Sequence, residues 1–217
     1  MSAVLERPVV PARDTTATRR LLAGGAVAGP LFLGVALVQV LTRDGFDLGR
    51  HPISLLSVGD HGWIQIANFI VAGALSIGLA VGLRRIRHGL VGPVLVGLYG
   101  AGLVVGGVFV ADPGLGFPPG APEGIPTEFS WHAMVHNVAP VVAFNAIIVA
   151  CVVFAVRFAR SRSRAWAAYS LATGLVALAV VAWPTQAGIS WRLAVAITLT
   201  FTWQTALALH LARHHDV

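Results

Sequence analysis

Six long apolar runs constrain this chain more than any other feature of its sequence. Each is close to the roughly 20 helical residues needed to cross about 30 Å of hydrocarbon. A segment in lipid must satisfy its own backbone hydrogen bonds, so helices are the predicted structure. The predicted spans cover residues 21–41, 64–83, 90–110, 133–156, 165–183 and 193–211.

The composition agrees with a bilayer as the solvent. The 217 residues are 56% hydrophobic and 11% charged, whereas soluble domains carry roughly 25% charged residues. We predict an all-α, polytopic membrane protein whose six transmembrane helices form a compact bundle. Residues 1–20 are a predicted disordered segment, residues 21–211 the transmembrane domain and residues 212–217 a tail.

A signal peptide is the alternative for the first run, because arginines precede it. The run is longer than the usual core of about 7–15 apolar residues, and no small-residue cleavage site follows it. We therefore interpret it as a span. The single cysteine, Cys151, lies in an apolar run, so no intrachain disulfide is expected.

The arginines predict the orientation. Twelve of the 15 fall in the N-terminal segment, the second and fourth connections and the tail, and the other three are Arg43, Arg50 and Arg192. Cytoplasmic segments carry the excess of positive charge, so both termini are predicted to be cytoplasmic. Arginine without lysine, with much alanine, glycine and valine, is typical of a GC-rich bacterial genome. A bacterial plasma membrane is therefore the expected location.

The net charge of +6 does not indicate nucleic-acid binding. The arginines occur in short clusters between apolar runs and do not form one basic surface. Membrane lipids and a small amphiphilic ligand are the expected partners instead.

Polar side chains crowd the first connection and the start of the second span. Residues 52–58 suit a short interfacial helix, with a proline in its first turn. His51, Ser54 and Ser57 are three residues apart and would share one face, and amides follow on the second span. The candidate site residues here are Arg50, His51, Ser54, Ser57, Asp60, His61, Gln65 and Asn68.

The third connection and the fourth span add the remaining candidates. Asp112 directly follows the third span, and a loop rich in proline and glycine leads to the fourth span. His132 and His136 lie one helical turn apart on the same face. The prediction is a polar site at the extracytoplasmic end of the bundle.

Three functions fit such a site. Ionisable groups at the membrane edge are functional candidates by default, which favours a site for a lipid or small amphiphile with Arg50 holding an anionic group. The first alternative is a metal-dependent hydrolase, in which His132, His136 and Asp112 bind zinc and activate a water molecule. The second is a structural or accessory subunit whose polar groups cap helices and hold loops in place. Whether the protein is an enzyme stays open.

The chain also resembles a bacterial membrane family, domain of unknown function 998. The resemblance rests on HPISLLSVGDHGWIQIANF at residues 51–69, on GLRR at Gly82–Arg85, on ADPG at Ala111–Gly114 and on Ser130–His132. It covers nearly the whole chain after residue 20. It implies a multi-pass helical membrane protein and brings no activity, so no catalytic residue is carried over.

Overall fold

The fold is entirely helical in the part of the chain that a computed structural model describes, namely residues 15–86, 89–185 and 187–214. The helices are α1 (Thr15–Thr42), a 3-10 helix (Ile53–Ser57), α2 (Gly62–Arg85), α3 (Val91–Val108), α4 (Trp131–Arg160), α5 (Arg164–Val181) and α6 (Ile189–His214). Most of the predicted disordered segment, at residues 1–14, lies outside the described residues, as do Arg87 and the end of the tail.

The six predicted spans are confirmed. All six α-helices are long and apolar enough to cross a membrane. Several extend beyond the apolar runs: α1 begins at Thr15 and includes Arg19 and Arg20, and α4 continues to Arg160. Arginine is a good helix former whose long side chain reaches the interface, so the helices continue past the hydrocarbon.

The helices are arranged as a closed ring. Each packs mainly against its neighbours in sequence, and α6 returns to pack against α1. The 3-10 helix lies against α1 and α2 at the end of the bundle that carries the first, third and fifth connections.

Glycines set how closely the helices approach. α2 and α3 cross where Gly73 meets Gly100: a Cβ on Gly73 would lie 2.6 Å from the Gly100 carbonyl oxygen, and one on Gly100 would lie 2.7 Å from the Gly73 oxygen. On the other side of the ring, a Cβ on Gly29 would lie 2.9 Å from the Phe201 oxygen. Small residues at such crossings allow van der Waals packing in lipid.

Amide side chains join α1 to α2 inside the bundle. Gln39 donates to the Gln65 side-chain oxygen at 2.8 Å, and Asn68 donates to the same oxygen at 3.2 Å. Asn68 also donates to the Phe32 carbonyl at 3.0 Å. All three amides are buried. A polar group in hydrocarbon requires such a partner, so these bonds help to specify the α1–α2 pairing.

A second set of hydrogen bonds closes the ring at α6. The Gln204 amide donates to the Ser76 hydroxyl at 3.1 Å and to the Gly25 carbonyl at 3.4 Å, so it joins α6 to α2 and α1. The Thr205 hydroxyl donates to the Ala26 carbonyl at 3.2 Å. Thr198 and Thr200 instead bond carbonyls of their own helix, as expected for threonines in apolar helices.

We predict that Gly73→Ala destabilises the bundle. The added methyl group would meet the Gly100 backbone, which cannot move like a flexible side chain, and overpacking of this kind costs about 1–3 kcal/mol. Gly97→Ala is the matched control, because its Cβ would lie at an ordinary 3.5 Å from the Ala80 Cβ. The free energy of unfolding, measured by SDS titration of the purified chain, should fall for the first variant and not for the second. Equal values would contradict a tight crossing.

Candidate functional site

The first and third connections dock onto each other and form one structure, here called the cap, from residues 43–61 and 109–130. Leu55, Val58 and Phe117 are buried together at its centre. Phe117 also packs edge-on against Phe46, with ring centroids 5.2 Å apart. The Pro/Gly-rich loop predicted from sequence therefore shares a packed apolar core with the first connection.

His51 joins the two halves of the cap. Its Nδ1 accepts a hydrogen bond from the Asp47 backbone N–H at 2.9 Å, so its Nε2 carries the proton and donates to the Leu115 carbonyl at 2.9 Å. The ring is buried against Phe46 and Phe117. Both nitrogens are occupied, so His51 is placed to hold the cap together.

Arg50 makes the second link between the halves. Its guanidinium donates to the Glu123 carboxylate at 2.5 Å and to the Glu123 carbonyl at 2.9 Å, on the exposed side of the cap. The Arg50 carbonyl in turn accepts from the Ser190 hydroxyl at 2.9 Å. This bond ties the start of α6 to the cap.

Arg43, the first residue of the cap, contacts both of its halves. It donates to the Leu56 carbonyl at 3.2 Å and to the Val58 carbonyl at 2.8 Å, and its guanidinium lies 5.3 Å from the Phe117 ring centre. Burial lowers the pKa of Arg43, and the nearby Asp60 carboxylate partly offsets that effect. Asp60 itself is exposed.

Asp112 caps α4 at its first turn. Its carboxylate accepts from the Ser130 backbone N–H at 2.7 Å and from the Ser130 hydroxyl at 2.6 Å. The Ser130 hydroxyl accepts in turn from the Ala133 N–H at 3.1 Å, as an N-cap residue does. The two carboxylate oxygens are therefore engaged in helix capping.

The structure does not assemble the three proposed zinc ligands. His132 is exposed and lies against Trp131 and Phe109, whereas His136 is buried inside the bundle. Asp112 is engaged with Ser130. Across the described ranges, no group of three or more His, Cys, Asp or Glu side chains is placed to hold a metal ion.

A cavity lies between the 3-10 segment of the cap and helices α2, α3, α4 and α6. Residues of the 3-10 segment, α2, α3, α4 and α6 line it, including Ser54, Phe69, Tyr99, Gly106, His136 and Ile197. The cavity has a volume of about 90 Å³. It is therefore a narrow and mostly apolar cavity.

His136 brings the one imidazole to the cavity wall. Its Nδ1 donates to the Phe109 carbonyl at 2.7 Å and to the Gly106 carbonyl at 3.0 Å, which satisfies carbonyls at the end of α3. Carbonyl oxygens only accept, so Nδ1 must carry a proton. In the neutral ring Nε2 is then an unprotonated acceptor, and no residue in the described ranges bonds to it.

The remaining candidates are dispersed. Ser54 lines the cavity, and its hydroxyl bonds to no described residue. Ser57 is buried, and its hydroxyl also lacks a partner among the described residues. His61 is exposed and lines a separate groove between α1 and α2, beside Arg43. Gln65 and Asn68 belong to the amide network described above. The predicted residues thus divide between a cap, a network and a cavity.

Sequence reasoning missed two residues of this region. Tyr99 is buried at the inner end of the cavity, and its hydroxyl, close to Thr200, has no hydrogen-bond partner in the described chain. Arg192 is buried and donates to the Trp183 carbonyl at 3.1 Å and to the Thr185 carbonyl, so it neutralises the C-terminal end of α5. A tyrosine inside the third apolar run and an arginine directly before the sixth were the available signals.

These features define a multi-pass helical membrane protein with a polar cap over an apolar central cavity. The chain belongs to the family described as protein of unknown function, DUF998, whose model matches residues 26–212. This agrees with the family resemblance seen in the sequence. No curated protein and no solved structure matched the chain.

We predict that His51→Phe loosens the cap. Phenylalanine keeps the ring packing but leaves the Asp47 N–H and the Leu115 carbonyl without partners, which costs about 1–3 kcal/mol. Arg50→Gln is the comparison, because an exposed ion pair contributes at most about 1 kcal/mol. Unfolding by SDS and limited proteolysis within residues 109–130 should both show the larger effect for the histidine variant. The reverse order would mean that the ion pair holds the cap.

Proposed function

We propose that this protein binds a lipid or small amphiphile at the outer face of the bacterial plasma membrane, in the cavity beneath the cap. One observation carries the proposal: a narrow apolar cavity inside the bundle is lined at its cap end by His136 and Ser54, whose Nε2 and hydroxyl bond to none of the described residues. Ligand sites are commonly mostly apolar with a few placed polar groups. An amphiphile has the matching distribution, with one polar end and one apolar chain.

The residues that line the cavity extend over about two turns of α3. Along α3, Gly106 near the cap and Tyr99 near the inner end are separated by two helical turns, or about 10 Å. Apolar side chains of α2, α4 and α6 surround the space between them. A ligand chain could therefore lie parallel to the helices and replace contacts that the ring leaves open.

Gly106 supports this interpretation. It is buried, yet a Cβ built on it would meet nothing within 4 Å, unlike the glycines at the helix crossings. The open space beside it is inside the protein and coincides with the cavity that Gly106 lines. An empty apolar cavity forfeits van der Waals contacts on its walls, and an occupant would restore them.

The orientation is part of the proposal. The arginine distribution favours cytoplasmic termini, which would place the cap outside and the cavity mouth at the level of the outer leaflet. Trp63 and Trp131 are exposed at the cap ends of α2 and α4, where tryptophan typically marks a membrane interface.

We predict that Gly106→Leu prevents retention of the amphiphile. The leucine side chain would occupy the cavity, and exclusion by more than about 1.4 kcal/mol lowers occupancy of a weakly bound ligand roughly tenfold. Lipids extracted from the purified chain and quantified by mass spectrometry provide the measurement. The fold should persist, because the substitution removes a helical glycine and the added Cβ meets no atom within 4 Å.

Gly34→Leu is the matched control for that experiment. Gly34 is also a helical glycine with nothing within 4 Å of its Cβ position, but it lines the lipid-facing groove of α1 and α2. Retained amphiphile should match the wild-type protein. If both variants retain as much as the wild type, the cavity is not the binding site.

We predict a cap accessible from outside the cell. In a Cys151→Ala background, Thr127→Cys lies in the exposed part of the third connection and Ser161→Cys in the connection after α4. A membrane-impermeant maleimide should label Thr127→Cys on intact cells and Ser161→Cys only after permeabilisation. The opposite pattern would invert the topology and place the site in the cytoplasmic leaflet.

A further inference from the structure

The cap end of the cavity has a defined set of hydrogen-bonding atoms. His136 is buried and presents Nε2, whose ring partner Nδ1 is already bonded to the Phe109 and Gly106 carbonyls. Ser54 comes from the 3-10 segment of the cap and lines the same cavity. Neither Nε2 nor the serine hydroxyl bonds to a residue within the described ranges, so both are available to a ligand.

The proton positions limit which group can bind. Because Nδ1 is the donor to the α3 carbonyls, Nε2 of the neutral ring can only accept. The Ser54 hydroxyl can donate or accept. A ligand that satisfies both must carry a hydrogen to donate to Nε2 and a lone pair to accept from Ser54. A hydroxyl group provides both a hydrogen to donate and a lone pair to accept.

No arginine or lysine among the described residues lines the cavity to pair with an anionic head group. None of the described residues that line the cavity is an arginine, aspartate or glutamate, and the chain has no lysine. The cap arginines are engaged elsewhere: Arg50 with Glu123, and Arg43 with the Leu56 and Val58 carbonyls. Burying a phosphate or carboxylate without a cation is strongly unfavourable.

We propose that the ligand is a single-chain amphiphile with an uncharged hydroxyl head group, such as a long-chain alcohol. Its hydroxyl donates to His136 Nε2 and accepts from Ser54, and its chain runs towards Tyr99. The inference rests on the proposed function and specifies the chemistry of its ligand. A diacyl phospholipid is excluded on two grounds, since its phosphate finds no cation and its second chain finds no room in a narrow cavity.

The test uses probes that share one chain and differ in the head group. Tritiated 1-dodecanol is bound to the purified full-length chain in detergent, and unlabelled dodecanol, dodecanoate, dodecyl phosphate and dodecane compete for it. We expect dodecanol to displace the label at concentrations at least roughly tenfold lower than dodecanoate, dodecyl phosphate or dodecane require. A tenfold difference in affinity corresponds to the free energy of about one well-formed hydrogen bond. Gly106→Leu should abolish specific binding.

Two variants test the head-group contacts. His136→Asn keeps a donor near the position of Nδ1 and removes Nε2, and Ser54→Ala removes the hydroxyl. Each should weaken dodecanol binding by roughly tenfold, as the loss of one hydrogen bond does. The controls are His132→Asn on the same helix and Ser57→Ala in the same 3-10 helix, neither of which lines the cavity. Both controls should bind like the wild type.

Tyr99→Phe tests the direction of the chain. Its hydroxyl has no partner among the described residues, so its removal should leave the fold stable and should not weaken dodecanol binding. A loss as large as that of His136→Asn would place the head group at the inner end and overturn the assignment to His136. Thermal unfolding of every variant without ligand separates lost contacts from lost structure.

The outcomes separate the two proposals. Equal or tighter binding of dodecyl phosphate or dodecanoate, still abolished by Gly106→Leu, would overturn the hydroxyl head group and leave the amphiphile site standing. Dodecanol binding that Gly106→Leu does not affect would overturn the placement in this cavity. Specific binding of none of the probes, together with no lipid retained on the purified protein, would overturn both.

Discussion

Closure of the ring at the contact between α1 and α6 is the condition on which the rest of the structure depends. These helices are the most distant in sequence, and lipid provides no hydrophobic driving force to bring them together. Instead, Gly29 lets the backbones approach, and Gln204 and Thr205 of α6 donate to carbonyls of α1. This contact holds α6 in place, and α6 provides Leu193 and Ile197 to the cavity wall.

Hydrogen bonds to backbone carbonyls and N–H groups also hold the cap together. Its connections cannot form regular helices at their proline and glycine density, so their backbone groups must find partners elsewhere. His51, Arg43 and Asp112 meet that need by bonding to backbone atoms of other segments. These polar residues, of which the sequence suggested His51 and Asp112 as parts of a functional site, therefore mainly stabilise the cap.

The class of fold could be predicted from sequence because it depends on one-dimensional features. Run length and the lack of charge predict the six helices, and the family resemblance points to the same class. The site could be predicted only in part. Ser54 and His136 were identified as polar residues near span ends. His132 and His136 both lie next to Phe109, but His132, in the first turn of α4, is exposed, and only His136 is buried at the cavity.

The partners of each polar group could not be predicted, because they come from segments far apart in the chain. Arg50 pairs with Glu123, 73 residues away, and Gln204 bonds to Gly25, 179 residues away. No local pattern encodes such pairs. Tyr99 was overlooked for a related reason. Its buried hydroxyl has no hydrogen-bond partner among the described residues, and this depends on how the helices around α3 pack.

Comparison of His51 with His136 shows that the number of hydrogen-bond partners, and not the residue type, identifies the candidate site. His51 and His136 are similarly buried, and each lies close to the cap. His51 has a partner for both nitrogens, so its ring is fully explained by folding. Among the described residues, His136 has partners for Nδ1 alone, and the residue lines a cavity. The hydrogen bond at Nδ1 sets the tautomer and orientation of the ring. The same bond that completes α3 thus leaves an acceptor facing an apolar cavity in the bundle, which is the arrangement that a hydroxyl-bearing chain would satisfy.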